Sequence, residues 1–408
     1  MTDIPACVAR YAHRLHTTAG GGHHVASPLG AWLLLALVAP AATGATRAGL
    51  EEVLGTDAEA AADAARALLA APHPLVGAAT ALWQDAALDT PGLAAWRAGL
   101  PPSTRTGPLP DQATADAWAR EHSLGLIETF PLTLTPDVLL VLASALATRV
   151  SWVDPFEVAD ASALGPGSAW SGRLRRVLRT PPSGHRAWIA AGPAGDVVGH
   201  AAPARPAGED GPGLLVVSVA AAPDVAPGEV LAAAHEQALR AAGGHEDRRS
   251  LYDLPLGDAP LWTLREETAH TFETREERVT AVLPCWSAES RHDLSPAGLG
   301  FAAAADAVRD LLRRPDLPFD AVQSAAARYG RYGFEAAAVA GFAVATGLPP
   351  ERVRRTAELR FAHPYAVVAV ATDERSGGPW HGLPVFSAWV AEPEELPEAD
   401  LADPSEAW

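Results

Sequence analysis

Histidines, serines and two cysteines are the residues of this chain that could do chemistry, and their spacing limits how far that chemistry goes. His13 and His16 share a helical neighbourhood, and His23 and His24 lie just beyond the Gly20-Gly21-Gly22 turn. Imidazoles that close can hold a metal, but no Cys, Asp or Glu stands at matching spacing, so the expectation is four surface histidines and no metal. Ser, His and Asp are plentiful, yet the chain has no G-x-S-x-G elbow, no phosphate-cradling Walker loop and no H-E-x-x-H. No enzyme and no cofactor are expected. Cys7 and Cys285 are the only thiols. Two distant cysteines define no disulfide framework, and a bridge or two unpaired thiols both stay open.

Composition bounds the scaffold. With 408 residues, 48% of them hydrophobic, the chain can bury a large core. It has no internal repeat, and Pro and Gly are spread along it instead of gathering in one linker. We therefore read 1–393 as a single domain and 394–408 as an acidic tail of the kind that is usually disordered. The formal net charge is -18 and Lys is absent, which argues against nucleic acid as a partner. Arg173, Arg175, Arg176 and Arg179 form the conspicuous basic run and read as a solvated strand edge. The N-terminus lacks the apolar core of a signal peptide, and the apolar run 31–42 is too short to span a bilayer. No membrane contact is expected, and the location expected from the missing signal is cytoplasmic.

Periodicity supplies the elements. Residues 6–18 place Val8, Tyr11, Ala12 and Leu15 on one helical stripe. Ser27 caps the next helix, Pro28 suits its first turn, and 30–39 is apolar all round, so that helix should be buried. Gly44 stops it and 46–54 starts another. Residues 78–88 read as a strand entering a turn, 93–100 as a short helix and 114–130 as amphipathic. The run 138–150 is nearly all apolar and predicts one strand buried on both faces. Further strands are expected at 187–190, 213–219, 277–284, 367–371 and 385–390, with a helix at 230–242.

One stretch is ambivalent. From Arg331 to Tyr365, Ala336, Ala337 and Ala338 suit a helix, but Gly333, Gly341 and Gly347 each cost a helix about 1 kcal/mol. With period two, Phe334, Ala336, Ala338, Ala340, Phe342, Val344 and Thr346 line one face, and Glu335 lies on the other. Such a segment can sit outside as a loop or inside as a strand.

At these residues the chain resembles the serpins, suicide inhibitors of proteases. Gly333 followed by Glu335-Ala336-Ala337-Ala338 resembles their hinge, and Phe361-Ala362-His363-Pro364-Tyr365 their F-x-x-P-F signature. Three further stretches are similar to the family. They are Ser27-Pro28 with Gly44, Thr46, Leu50 and Leu54-Gly55; Trp152 with Pro155-Phe156; and Leu283-Pro284 with Trp286, Glu289, Asp293-Leu294 and Leu299-Gly300. The resemblance implies an α+β fold with a large central mixed sheet, two further sheets, eight or nine helices and an exposed reactive loop. It also implies a monomer that takes a serine endopeptidase, or a cysteine one, as its partner, and whose cleaved loop enters the central sheet. By family extracellular members, secretion would be compatible with it.

The resemblance places Trp152 and Cys285 where the loop enters, with Ser27, Ser144 and Gln323 in the region where the sheet parts. Counting from Gly333 puts the bait bond at Gly347-Leu348; counting back from Phe361 puts it at Val353, with Arg354 and Arg355 beside it. Pro349-Pro350 favours Gly347-Leu348, because a strand entering a sheet interior cannot carry prolines. Departures bear on function. Phe334 stands where a small residue is usual, and Arg331 and Cys285 replace a Glu–Lys pair. Inhibition is the first reading; the alternative is a non-inhibitory binding or storage protein that is cleaved without trapping its protease.

Overall fold

The computed structural model describes residues 3–88, 90–208, 211–271, 273–334, 351–373 and 378–401. In chain order, α1 (Ile4–Ala19), β1 (His24–Ala26), α2 (Pro28–Val38), α3 (Gly44–Leu54) and α4 (Ala58–Ala70) come first. They are followed by β2 (Gly77–Gln84), α5 (Pro91–Ala98), β3 (Arg105–Pro108), α6 (Gln112–His122), β4 (Leu140–Ala147) and β5 (Val150–Ser151). The middle of the chain forms β6 (Glu157–Asp160), β7 (Arg176–Arg179), β8 (Arg186–Gly192), β9 (Gly195–Pro203), β10 (Gly213–Ala220) and α7 (Pro227–Ala242). Then come β11 (Gly257–Asp258), β12 (Trp262–His270), β13 (Glu276–Leu283), β14 (Trp286–Asp293), α8 (Phe301–Leu312), β15 (Val322–Tyr329) and β16 (Gly333–Phe334). The last strands are β17 (Glu351–Arg360), β18 (Tyr365–Thr372) and β19 (Pro384–Val390).

The apolar runs become the core. In α2 every residue but Leu34 is buried, as a helix without a polar face requires. One sheet, all antiparallel, runs in the order β1-β19-β18-β10-β9-β8. Helix α7 covers one of its faces, packing Val230, Leu231, Ala234 and Ala238 against Val217, Val219, Val368 and Val370. A second, mixed sheet runs β11-β12-β17-β13-β7-β6, with β13 and β17 parallel. Helix α6 lies over β2 and β4, where Trp118 meets Trp83 and Phe130 edge-on.

Three expectations are corrected here. The run 138–150 is neither one strand nor buried on both faces: β4 and β5 are separate, and several β4 residues are half exposed. Residues 351–360, within the stretch expected to carry the exposed loop, form a ten-residue strand paired with β12 along its length and with β13 from Arg354 on, where its arginines face acidic partners. The acidic tail, expected to be disordered from 394, packs on the body through 401, with Leu396 buried. Both cysteines are free and buried, so no bridge joins Cys7 to Cys285. No described helix is long and apolar enough to cross a membrane.

Candidate functional site, a slot in a divided sheet

A third sheet is divided. Strand β2 pairs with β3 and β4 on one side, and β14 pairs with β15 over eight residues on the other. Among the described residues β4 and β15 share no ladder. Between them runs a slot lined by Leu142, Ser144 and Leu146 of β4 and by Val322, Ser324 and Ala326 of β15. Its lower end opens into a cavity of about 450 Å³ lined mostly by apolar residues, among them Leu34, Val38, Leu140, Val308 and Phe319, with Asp137, Arg309 and Asp320 also on its wall.

Both walls are anchored to the start of α2. Ser27 caps that helix, its hydroxyl accepting from the Gly30 amide at 3.3 Å and donating to the Val385 carbonyl at 3.0 Å. On the β15 side, the Gln323 side chain clasps the Ser27 backbone: its oxygen accepts from the Ser27 amide at 2.9 Å and its nitrogen donates to the Ser27 carbonyl at 2.8 Å. On the β4 side, the Ser144 hydroxyl donates to the Gly30 carbonyl at 2.9 Å. Ser27, Ser144 and Gln323 are thus brought together, and the helix, not a ladder, ties one wall to the other.

At the head of the slot the walls do meet. The chain leaves β15, turns at residues 330–333, where the Gly330 amide donates to the Gly333 carbonyl at 3.2 Å, and comes back as β16. Gly333 and Phe334 pair antiparallel with Ser151 and Val150 of β5. Each carbonyl of the turn is engaged. Trp152, fully buried, gives its indole N–H to Gly330 at 3.0 Å and its amide to Tyr332 at 3.0 Å, and the Phe156 amide donates to Arg331 at 3.0 Å. The Arg331 guanidinium donates to the carbonyls of Phe156 at 3.1 Å and Asp400 at 2.7 Å. Trp152 packs on Tyr329, which stacks in turn on Trp286. Cys285 sits beside this cluster, and burial pushes its thiol pKa well up, so it is a neutral packing group and no nucleophile.

The sequence-level site residues fall into three groups. Trp152, Cys285, Arg331, Gly333 and the Phe334 backbone meet at the head of the slot, and Ser27, Ser144 and Gln323 at its middle. Val353, Arg354 and Arg355 lie in β17: Val353 is exposed and pairs only with Thr268 of β12, whereas Arg354 and Arg355 are paired on both edges, Arg354 meeting Glu267 at 2.7 Å and Glu276 at 3.5 Å and Arg355 meeting Glu266 at 3.3 Å. Glu335, Ala336, Ala337, Ala338, Gly347 and Leu348 lie outside the described residues.

Sequence reasoning missed two features. Residues 394–401 complete the head of the slot beside Phe156, and nothing in their residue types announced it. The histidines are the other. His16 and His24 are buried, not on the surface, and their ring nitrogens meet at 2.7 Å, with His16 also 2.6 Å from the Ser387 hydroxyl and His24 2.8 Å from the Gly22 carbonyl. His292 and His235 join them within about 6 Å, ring to ring. Burial, and then neighbouring imidazoles, hold His16 well below the ordinary histidine pKa, and His235 is lowered to about 4 by the same causes. No group of donors that could hold a metal occurs among the described residues.

No family model matches the chain, and no curated protein matches it in sequence. Solved structures do match in fold. Tengpin, a thermophilic serpin in its native state, superposes with a TM-score of 0.64 at 14% identity over 96% of this chain and 95% of its own. Thyroxine-binding globulin in complex with thyroxine gives 0.60 at 14% identity, covering 97% and 100%, and human kallistatin 0.60 at 15%, covering 97% and 98%.

Proposed function

Because the chain has the serpin fold, we propose that it is a protease inhibitor of serpin type, a suicide substrate whose cleaved loop fills the slot. The observation that carries this reading is β16: two residues already paired to β5 at the head of a slot between strands that, among the described residues, are not paired with each other. Continuing the register of Phe334 opposite Val150 places Val344 opposite Leu140, the first residue of β4. The alternating apolar face from Ala336 to Val344 then meets the slot.

The bait bond in this reading is Gly347-Leu348, just short of Pro349-Pro350 and three residues past the foot of the slot. A serine or cysteine endopeptidase attacks the Gly347 carbonyl, an acyl bond forms to its nucleophile, and the Leu348 amine leaves with the β17 side. The acylated segment then enters the slot and carries the protease with it. Entry exchanges water for ladder partners and adds about 1 kcal/mol per backbone hydrogen bond.

A second reading is a binding or storage protein that is cleaved without trapping. It is favoured by Phe334 and Arg331, and by the fold shared with a protein that binds thyroxine. Incubation with subtilisin-like, elastase-like and trypsin-like proteases separates the two. A complex that survives denaturant supports inhibition; a nicked chain with fully active protease leaves the second reading.

A further inference from the structure

We propose that residues 394–401 form a strap that holds the hinge turn in its paired position, so that strand entry begins at Glu335 with no separate hinge-docking step. This rests on the inhibitor reading for its consequence but not for its geometry. The strap starts on β14, where the Glu394 amide donates to the Cys285 carbonyl at 2.8 Å and the Glu394 carboxylate accepts from the Ser287 hydroxyl. The Glu395 carboxylate next accepts from the amides of Arg175 at 2.6 Å and Arg176 at 3.1 Å, at the entry to β7. Leu396 drops into the core, a single turn follows at 398–400, and the carbonyls of Asp400 and Leu401 accept from Arg331.

The strap therefore touches the β14 side of the slot, the mixed sheet at β7, and then the hinge itself. Its contacts explain the departures noted in the sequence. Arg331 has exchanged a carboxylate role for donation to strap carbonyls, and Cys285, where a charged residue is usual, lies under the strap, where a lysine would lose its water. The direction of the effect follows from the turn. Entry of the loop continues β16 down β4 and leaves residues 330–333 where they are, so contacts to that turn persist from the intact to the inserted state. A contact present in both states, and before entry begins, orders the nucleus and does not oppose entry.

Two variants test this: a chain ending at Pro393, and Arg331→Gln in the full chain. Three readouts apply, namely amide exchange over 150–156 and 329–334, modification of Cys285 against Cys7 by a maleimide, and the split of protease encounters between trapped complex and nicked product. The expected result is exchange at least tenfold faster in both segments for both variants, and at least tenfold faster modification of Cys285 in the shortened chain alone. Cys7 should stay unreactive, and the trapped fraction should fall at least threefold in both. Unchanged exchange after shortening, or a trapped fraction that rises, overturns the proposal, because the tail then merely lies on the surface or opposes entry. If Cys7 also becomes reactive the shortened chain has lost its fold, and Arg331→Gln decides by the same exchange measurement. Should the parent trap no protease at all, the inhibitor reading fails, while the exchange result still decides whether the strap holds the hinge.

Discussion

Gly333 passes so close to Val150 that a methyl group on its Cα would stand 2.1 Å from the Val150 carbonyl oxygen, and its φ of +154° is one that side-chain-bearing residues avoid. Only glycine fits between the turn and β5. Gly333→Ala is expected to break the β16 pairing, to destabilise the intact protein by about 1–3 kcal/mol, and to shift protease encounters toward nicking. Denaturation and a stoichiometry titration check it, and a normal trapped fraction in a folded Gly333→Ala protein would falsify the role given to β16. By contrast, Phe334→Thr should change stoichiometry little, since the Phe334 backbone is already seated opposite Val150.

The clasp of Gln323 on Ser27 joins β15 to α2 through two hydrogen bonds. Gln323→Ala leaves a half-buried amide and carbonyl short of partners, which costs about 1–3 kcal/mol each where water cannot replace them. The expected outcome is faster thermal unfolding of the intact protein, followed as loss of near-UV dichroism on heating. Ser144→Ala removes only one bond, to Gly30, and should lose less.

Acid should weaken the fold through the buried histidines. His16, His24, His235 and His292 all have folded pKa values below the ordinary 6.5, chiefly because burial disfavours the imidazolium. A depressed histidine binds its proton more readily in the unfolded chain, so its stability contribution is complete above pH 6.5 and declines as pH falls toward the folded value, about 4 for His235. Unfolding between pH 6.5 and 4 should therefore take up protons. Denaturant midpoints across that window measure it, and a His24→Gln, His292→Gln pair should flatten the slope; an unchanged slope would locate the proton uptake elsewhere.

Trypsin-like enzymes should spare the bonds after Arg354 and Arg355 of the intact protein. Arg354 and Arg355 are mostly covered, at 21% and 17% side-chain exposure, and their strand is paired on both sides. A protease that cuts after small residues should instead cleave between 335 and 350, and the nicked protein should melt higher than the parent. Mass spectrometry locates the cut and calorimetry reports the change; trypsin cleavage at Arg354 as the first event would show β17 to be open in solution.

Periodicity made the scaffold legible where burial is uniform. The apolar continuity of α2 and of β18 and β19 could be read directly because each is covered on all sides. It misread 138–150, which breaks between β4 and β5 and whose edge borders the slot, so that its apolar residues are packed on both faces yet only partly buried. It also missed β17, because E-R-V-R-R-T-A-E-L-R is polar on its own and becomes a strand only opposite the glutamates of β12 and β13. Ser27, Ser144 and Gln323 were named as neighbours, but α2's role as the common anchor is a three-dimensional fact. The strap was unreadable because its backbone carbonyls, not its acidic side chains, hold Arg331.

The charge-paired anchorage of β17 makes the intact chain a leash that is too short. Ten residues, on the order of 33 Å of strand, carry the chain from Phe334 to the foot of the slot, and the seven steps from there to Glu351 reach at most about 25 Å. That return leg cannot regain even the level of Val150, from which the descent began. An uncut loop can thus fill the slot only by dragging β17 away from both neighbours and from the Arg354 and Arg355 ion pairs. A single hydrolysed bond removes that geometric debt at once, so in the inhibitor reading the molecule acts once, and the event that arms it is supplied by the enzyme it captures.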